Sequence, residues 1–306
     1  MGKVAFIFPG QGSQQVGMGR AAFETEHGAL TFAEADAAVG EPISRLCFEG
    51  PDAELQLTTN AQPAILTTSI ALLRGLGEPF DVVAGHSLGE YSANVAAGTL
   101  PFNDAVSLVR KRGRYMQEAV PVGRGAMAAV LGADTALVER ICAAIEGVVT
   151  PVNYNCPGQL VIAGEAKAVE QASAALAAAG GKVRALPVSA PFHCSLMKPA
   201  EDRLEPELRN ATWSEPRVPI YVNVEAVPVT TADAARSALV RQVSRPVRWQ
   251  QSVERMLADG VSLFVEIGPG KVLTTMIKRI AKDVARLNVE SPADMDAARA
   301  VIAKHR

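Results

Sequence analysis

Short apolar runs alternate with longer amphipathic stretches along this chain. "VAFIF" (4–8), "DVVAG" (81–85), "PIYVNV" (219–224), "LFVEI" (263–267) and "VARLNV" (284–289) lack the polar alternation of a strand with one wet face. They therefore predict strands buried on both sides. Between them, "AQPAILTTSIALLRGLG" after Asn60, "LGEYSANVAAG" after Ser87 and "FNDAVSLVRKRGRYMQEAV" after Pro101 read as helices, with Gly98 and Gly123 as stops. Parallel strands joined by helical crossovers follow, which is an α/β sheet covered by helices.

The rhythm changes between residues 124 and 192. "GAMAAVLG" reads as a strand, "DTALVERICAAI" as an Asp-capped helix, and "TPVNYN" and "QLVIAG" as strands joined by "CPG". "KAVEQASAALAAAGG" is an Ala-rich helix and "KVRALPV" (182–188) a last strand. This βαββαβ order is ferredoxin-like. The expected organisation is a large subdomain from residues 1–123 and 193–306, with a small one, 124–192, inserted into it.

Composition narrows the function without naming it. A chain of 306 residues, 48% hydrophobic and 20% charged, can bury a sizeable core, and a formal charge of -2 argues against nucleic-acid or membrane-surface partners. Cys47, Cys142, Cys156 and Cys194 lack metal or redox spacing, so reduced core cysteines in a cytoplasmic protein are expected. The apolar run before Pro9 is too short for a signal peptide or a membrane span. Phe6 stands where a myristoylation motif after Gly2 needs Ser or Thr.

The candidate chemistry centres on "GHSLGEY" (85–91), a G-x-S-x-G pattern between a predicted strand and a predicted helix. That context suits a serine on a sharp turn where side chains flanking it would collide. A serine capping the helix is the simpler alternative. A nucleophilic Ser87 needs a base. Of His27, His86, His193 and His305, the last lies at a terminus, His27 in a polar helix end, and His86 beside the serine on a turn that points neighbours apart. His193, in "SAPFHCS", is the best candidate. Acids between the two (Asp104, Glu118, Asp134, Glu139, Glu146, Glu165, Glu170) fall mostly in the inserted unit, so a backbone carbonyl is expected to orient the imidazole.

Several motifs occur together: "FPGQGSQ" (8–14), "NAQPA" (60–64), "GHSLGEYSA" (85–93), "RKRGRYMQEAVP" (110–121), "NYNCPGQLVIAG" (153–164), "APFH" (190–193), "PVRW" (246–249) and "EIGPGKVL" (266–273). In this order they resemble the malonyl-CoA:acyl carrier protein transacylase family, from Phe6 to about Arg279. The resemblance implies an α/β-hydrolase-like large subdomain with a ferredoxin-like small one. It implies Ser87 as acyl-accepting nucleophile, His193 as general base, and the Gln242 carbonyl as its orienting group. It further implies backbone N–H groups of Gln11 and Leu88 as an oxyanion hole, Arg112 as the binder of the malonyl carboxylate, and Phe192 as a size filter. Arg110, Lys111 and Arg114 are equally charged, and only the resemblance selects Arg112 among them. Asn153 and Asn155 are expected to shape the cleft.

The function so implied is malonyl transfer from malonyl-CoA to the phosphopantetheine thiol of acyl carrier protein by ping-pong chemistry, for fatty-acid synthesis, in a monomer needing no metal or other cofactor. Lys271, Lys278, Arg279 and Lys282 are candidates for docking the acidic carrier. A serine hydrolase, a non-catalytic carrier-binding protein, and an acyltransferase of a polyketide or malonate decarboxylase system are the competing expectations.

Overall fold

The computed structural model of the chain describes residues 2–188 and 190–306. Among the described residues, ten strands form two sheets: β1 (Lys3–Phe8), β2 (Val82–Gly85), β3 (Gly125–Leu131), β4 (Val149–Cys156), β5 (Gln159–Glu165), β6 (Lys182–Ala185), β7 (Ile220–Tyr221), β8 (Pro228–Val229), β9 (Val261–Ile267) and β10 (Ala285–Val289). The larger sheet runs β10-β9-β1-β2-β7-β8. Its first five strands pair in parallel, and only the β7–β8 edge is antiparallel. Val4 to Phe8 have no exposure at all, which accounts for the missing polar alternation. All five apolar runs contribute strands to this sheet.

The second sheet is antiparallel, in the order β4-β5-β3-β6. With the helices Thr135–Ala144 and Ala166–Ala178 the chain order is βαββαβ, as the rhythm predicts. Asp134 caps the first of these helices, its side chain accepting from Ala136 N–H. Val152 and Tyr154 on β4 exchange backbone hydrogen bonds with Val247, which ties the small sheet to the segment leading into the helix Trp249–Ala258.

Two strands are shorter than the sequence predicts. The run 219–224 leaves the sheet after Tyr221, because Asn223 turns its amide toward the end of β2 instead of extending the ladder. The run 182–188 ends as a strand at Ala185; Leu186 N–H still donates to Met127 O on β3, but Pro187 has no N–H to donate, and Leu186, Pro187 and Val188 line the cleft. The helix expected after Asn60 begins earlier, at Thr58. The four cysteines are free and buried. Among the described residues no helix is long and apolar enough to cross a membrane, and no group of three or more His, Cys, Asp or Glu could hold a metal ion.

Candidate active site

Ser87 sits at the carboxyl end of β2, one residue before Leu88, which caps the helix Gly89–Ala96. Its φ is 51°, in the left-handed region that a residue with a side chain adopts only under constraint. The glycines either side supply that constraint. A Cβ at Gly85 would lie 1.9 Å from the Gly89 carbonyl carbon, and one at Gly89 would lie 2.0 Å from the Phe8 carbonyl oxygen. The helix can therefore turn back over β1 and β2 only with hydrogen at both positions. Asn223 closes the turn, its Oδ1 accepting from Ser87 N–H at 2.7 Å and its Nδ2 donating to Gly85 O at 2.7 Å.

The turn aims the hydroxyl at His193. Ser87 Oγ lies 2.7 Å from Nε2, and His193 Nδ1 lies 2.8 Å from the backbone oxygen of Gln242. A carbonyl can only accept, so Nδ1 holds the ring proton and Nε2 is left to receive the serine's. Four of the acids named above have other partners: Glu139 accepts from Tyr154 Oη, Glu165 from Val148 N–H, Glu118 from Arg203 and Asp104 from Thr212 N–H. His86 turns away from Ser87 to meet Asn155 Oδ1 at 2.9 Å.

Arg112 lies against the same hydroxyl. It is 1% exposed, on the buried stripe of the helix Phe102–Glu118 with Ala105, Val109 and Met116. Gly113 beside it lets that helix touch the backbone of Thr58 and Thr59, where a Cβ would come within 2.7 Å. The guanidinium donates to Gln62 Oε1 (2.7 Å), Gln242 Oε1 (2.9 Å) and Ser87 Oγ (3.1 Å). None of these partners is a carboxylate, and Nε has no hydrogen-bond partner among the described residues. By contrast, Lys111 pairs with Glu207, and Arg110 reaches Thr59 O, Asn60 and Glu41.

Between the two sheets lies a cavity of about 410 Å³, lined by Gln11, Ser87, Leu88, Arg112, Phe192 and His193 among others. Asn153 lines it too, whereas Asn155 stands behind His86. The space is large enough for a short acyl group and part of the arm that carries it.

The electrostatics keep the imidazole neutral. Burial, and then the positive Arg112, push the His193 pKa down to about 3, only partly opposed by the Gln242 carbonyl. This lies below the ordinary value near 6.5, so the unfolded chain binds the extra proton first. Stability is accordingly lost as pH falls through 6.5 toward 3. In NMR titration of ring-labelled protein, His193 is expected to stay neutral down to at least pH 5, and Arg112→Met should raise its midpoint. An ordinary midpoint near 6.5 in the wild type would contradict this electrostatic reading.

Sequence reasoning passed over three groups that hold the site together. Glu90, inside the quoted motif, is fully buried and accepts from Asn223 N–H (2.8 Å) and Gln242 Nε2 (2.9 Å). Asn223 and Gln62 complete the set. The available signal was a polar residue interrupting an apolar run, as in "PIYVNV" and "AQPAIL".

A parallel sheet bearing a serine elbow, with imidazole and guanidinium converging on one oxygen, defines a class of acyl-transferring enzyme. The model of the acyl transferase domain matches residues 5–302, and the chain is an acyltransferase. It is 51% identical to the malonyl CoA-acyl carrier protein transacylase of Escherichia coli (strain K12), over 97% of this chain and 99% of that one. It belongs to that transacylase family. The acyl-carrier-protein-S-malonyltransferase of Bartonella henselae superposes with a TM-score of 0.96 at 44% identity, over 99% of this chain and all of the other. A malonyl-transacylase solved in complex with its type II PKS acyl-carrier protein gives 0.94 at 44% identity, over 97% and 98%.

Proposed function

We propose that this enzyme transfers a malonyl group from malonyl-CoA to the phosphopantetheine thiol of an acyl carrier protein through an ester on Ser87. The observation that carries this reading is Arg112, a buried guanidinium 3.1 Å from Ser87 Oγ whose protein partners are all neutral oxygens. A carboxylate is the ligand such a fork lacks, and malonyl places one beyond the reacting carbonyl.

His193 takes the Ser87 proton at Nε2 as Oγ attacks the thioester carbon. The charge that develops on the carbonyl oxygen is held by the Gln11 and Leu88 N–H groups, the latter at a helix N-terminus where such donors are favoured. Collapse expels coenzyme A, which takes the proton from His193. The carrier's thiol then gives its proton to His193 and attacks the ester, and Ser87 recovers its hydrogen when the carrier leaves acylated. Gln242 O holds the imidazole throughout, and Phe192 limits the acyl group's size.

In this reading the cleft lies between a large subdomain, 1–123 and 193–306, and a small one, 124–192. The work is cytoplasmic, the chain acts as a monomer, and the carrier serves fatty-acid synthesis. Lys271, Lys278, Arg279 and Lys282 are exposed on and beside the helix Val272–Ile280 and offer a basic face to an acidic carrier, with Arg279 also held by Gln159. The similarity to a transacylase solved with a polyketide carrier favours one second reading, in which the recipient is a carrier of that kind. Labelled malonyl-CoA should leave label on Ser87 alone, and adding a phosphopantetheinylated carrier should move it to the carrier thiol. Label released as free malonate while the carrier stays unlabelled would make the enzyme a hydrolase.

A further inference from the structure

The Glu90 carboxyl lies under the elbow with no exposure, and both of its hydrogen-bond donors are uncharged. Oε2 receives both bonds; Oε1 has no partner among the described residues. The Gln242 amide bridges it to Arg112, donating from Nε2 to Glu90 while Oε1 accepts from the guanidinium. A carboxylate only accepts and a guanidinium only donates, so the amide between them has one orientation. Two opposite charges are thus buried with one neutral side chain between them.

The surroundings leave Glu90 close to a change of state. Burial raises its pKa to about 7, against the pull of the Asn223 and Gln242 hydrogen bonds; Glu225 raises it further and Arg112 lowers it. Glu225 is itself paired with Arg241. Burial also keeps Tyr91 and the two nearby imidazoles, His86 and His193, uncharged.

We propose that Glu90 is the counter-charge of Arg112 in the empty site, coupled through the Gln242 amide, and that it takes up one proton from solvent when a malonyl carboxylate occupies the guanidinium. This deepens the functional reading above and rests on it. Before binding, guanidinium and carboxylate cancel; afterwards the guanidinium cancels the malonyl carboxylate and Glu90 is neutral. Without the proton, two carboxylates would share one cation away from water, and like charges so placed favour protonation of one. The proton can settle on Oε1 without disturbing either bond at Oε2. The elbow therefore keeps its shape in both states.

The pH dependence has a definite sign. Below about pH 7 Glu90 already carries the proton, and malonyl capture is indifferent to pH from this source. Above it, each capture draws a proton, so apparent affinity falls by up to about tenfold per pH unit. Acetyl groups bring no carboxylate and draw none.

The test mixes enzyme with malonyl-CoA in weakly buffered solution at pH 8 with an indicator dye, while intact mass follows acylation and peptide mapping locates it. Wild-type enzyme should take up most of one proton per Ser87 malonylated, in excess of acetyl-CoA driven to the same extent of acylation. Glu90→Gln, which keeps an acceptor for Asn223 and Gln242, should show no excess. Malonylation of the wild type without excess uptake, or uptake that persists in Glu90→Gln, overturns the proposal. If the variant does not fold, wild-type KM decides: it should rise between pH 7 and 8.5 for malonyl-CoA but not for acetyl-CoA, and parallel profiles overturn the proposal. Failure of Ser87 to be acylated at all refutes the functional reading, and the proposal with it.

Discussion

Ser87→Ala is expected to abolish covalent labelling by malonyl-CoA and to slow malonyl transfer by on the order of 10⁴-fold or more, as removal of a nucleophile from a cooperating set does. The change should leave the fold in place. The bonds that hold the turn go to the backbone of residue 87, with Asn223 Oδ1 on its N–H and Gln242 Nε2 on its carbonyl at 3.0 Å, and alanine retains both. The left-handed φ is no worse for alanine than for serine. What disappears is one oxygen, and with it the partner of His193 Nε2 and one of three acceptors for Arg112. Thermal unfolding close to that of the wild type, with no label by mass spectrometry, is the expected pair of results. Label retained on another residue would sink the assignment of Ser87.

The elbow was legible because its logic is local. Two glycines four positions apart, between an apolar strand and a helix, require a close backbone approach, and the clashes at Gly85 and Gly89 show what they avoid. His193 was legible by elimination among four histidines, and the sheet through its uninterrupted apolar runs. Among the four cations Arg112 is selected by the family resemblance, yet the phase of its helix carries the information: Ala105, Val109, Arg112 and Met116 fall on one buried stripe, and Arg110 and Lys111 lie off it, partly exposed. The rest was hidden because it is long-range. Gln242 and Asn223 lie more than 130 positions from Ser87 and Glu90, and no periodicity links an amide in one helix to a carboxylate in another. Glu90 stood in plain view beside the serine, but a charge in the first turn of a helix ordinarily faces water. Only the packing of the helix Gly89–Ala96 against β1 and β2 shows that this one does not.

Arg112→Ala should reverse the enzyme's choice of acyl group. With the guanidinium gone, a malonyl carboxylate in the cavity would be a buried charge without its partner, a loss of about 3 to 5 kcal/mol. That corresponds to roughly a 10²- to 10⁴-fold fall in kcat/KM for malonyl-CoA. Acetyl-CoA places only a methyl group there and escapes that loss, so its activity relative to malonyl-CoA should rise by the same order. The substitution also strands Gln62 Oε1 and Gln242 Oε1, so some loss of stability is expected, and the ratio of the two substrates measured on folded protein is the decisive quantity. Arg112→Lys should fall between, because an ammonium carries the charge but not the planar pair of donors. Substituting Lys111, which is tied to Glu207, should leave the ratio unchanged. An unaltered ratio in Arg112→Ala would mean that selectivity arises elsewhere in the cavity. A reversed ratio would tie acyl choice to the Arg112 guanidinium, which lies within hydrogen-bonding distance of the serine oxygen.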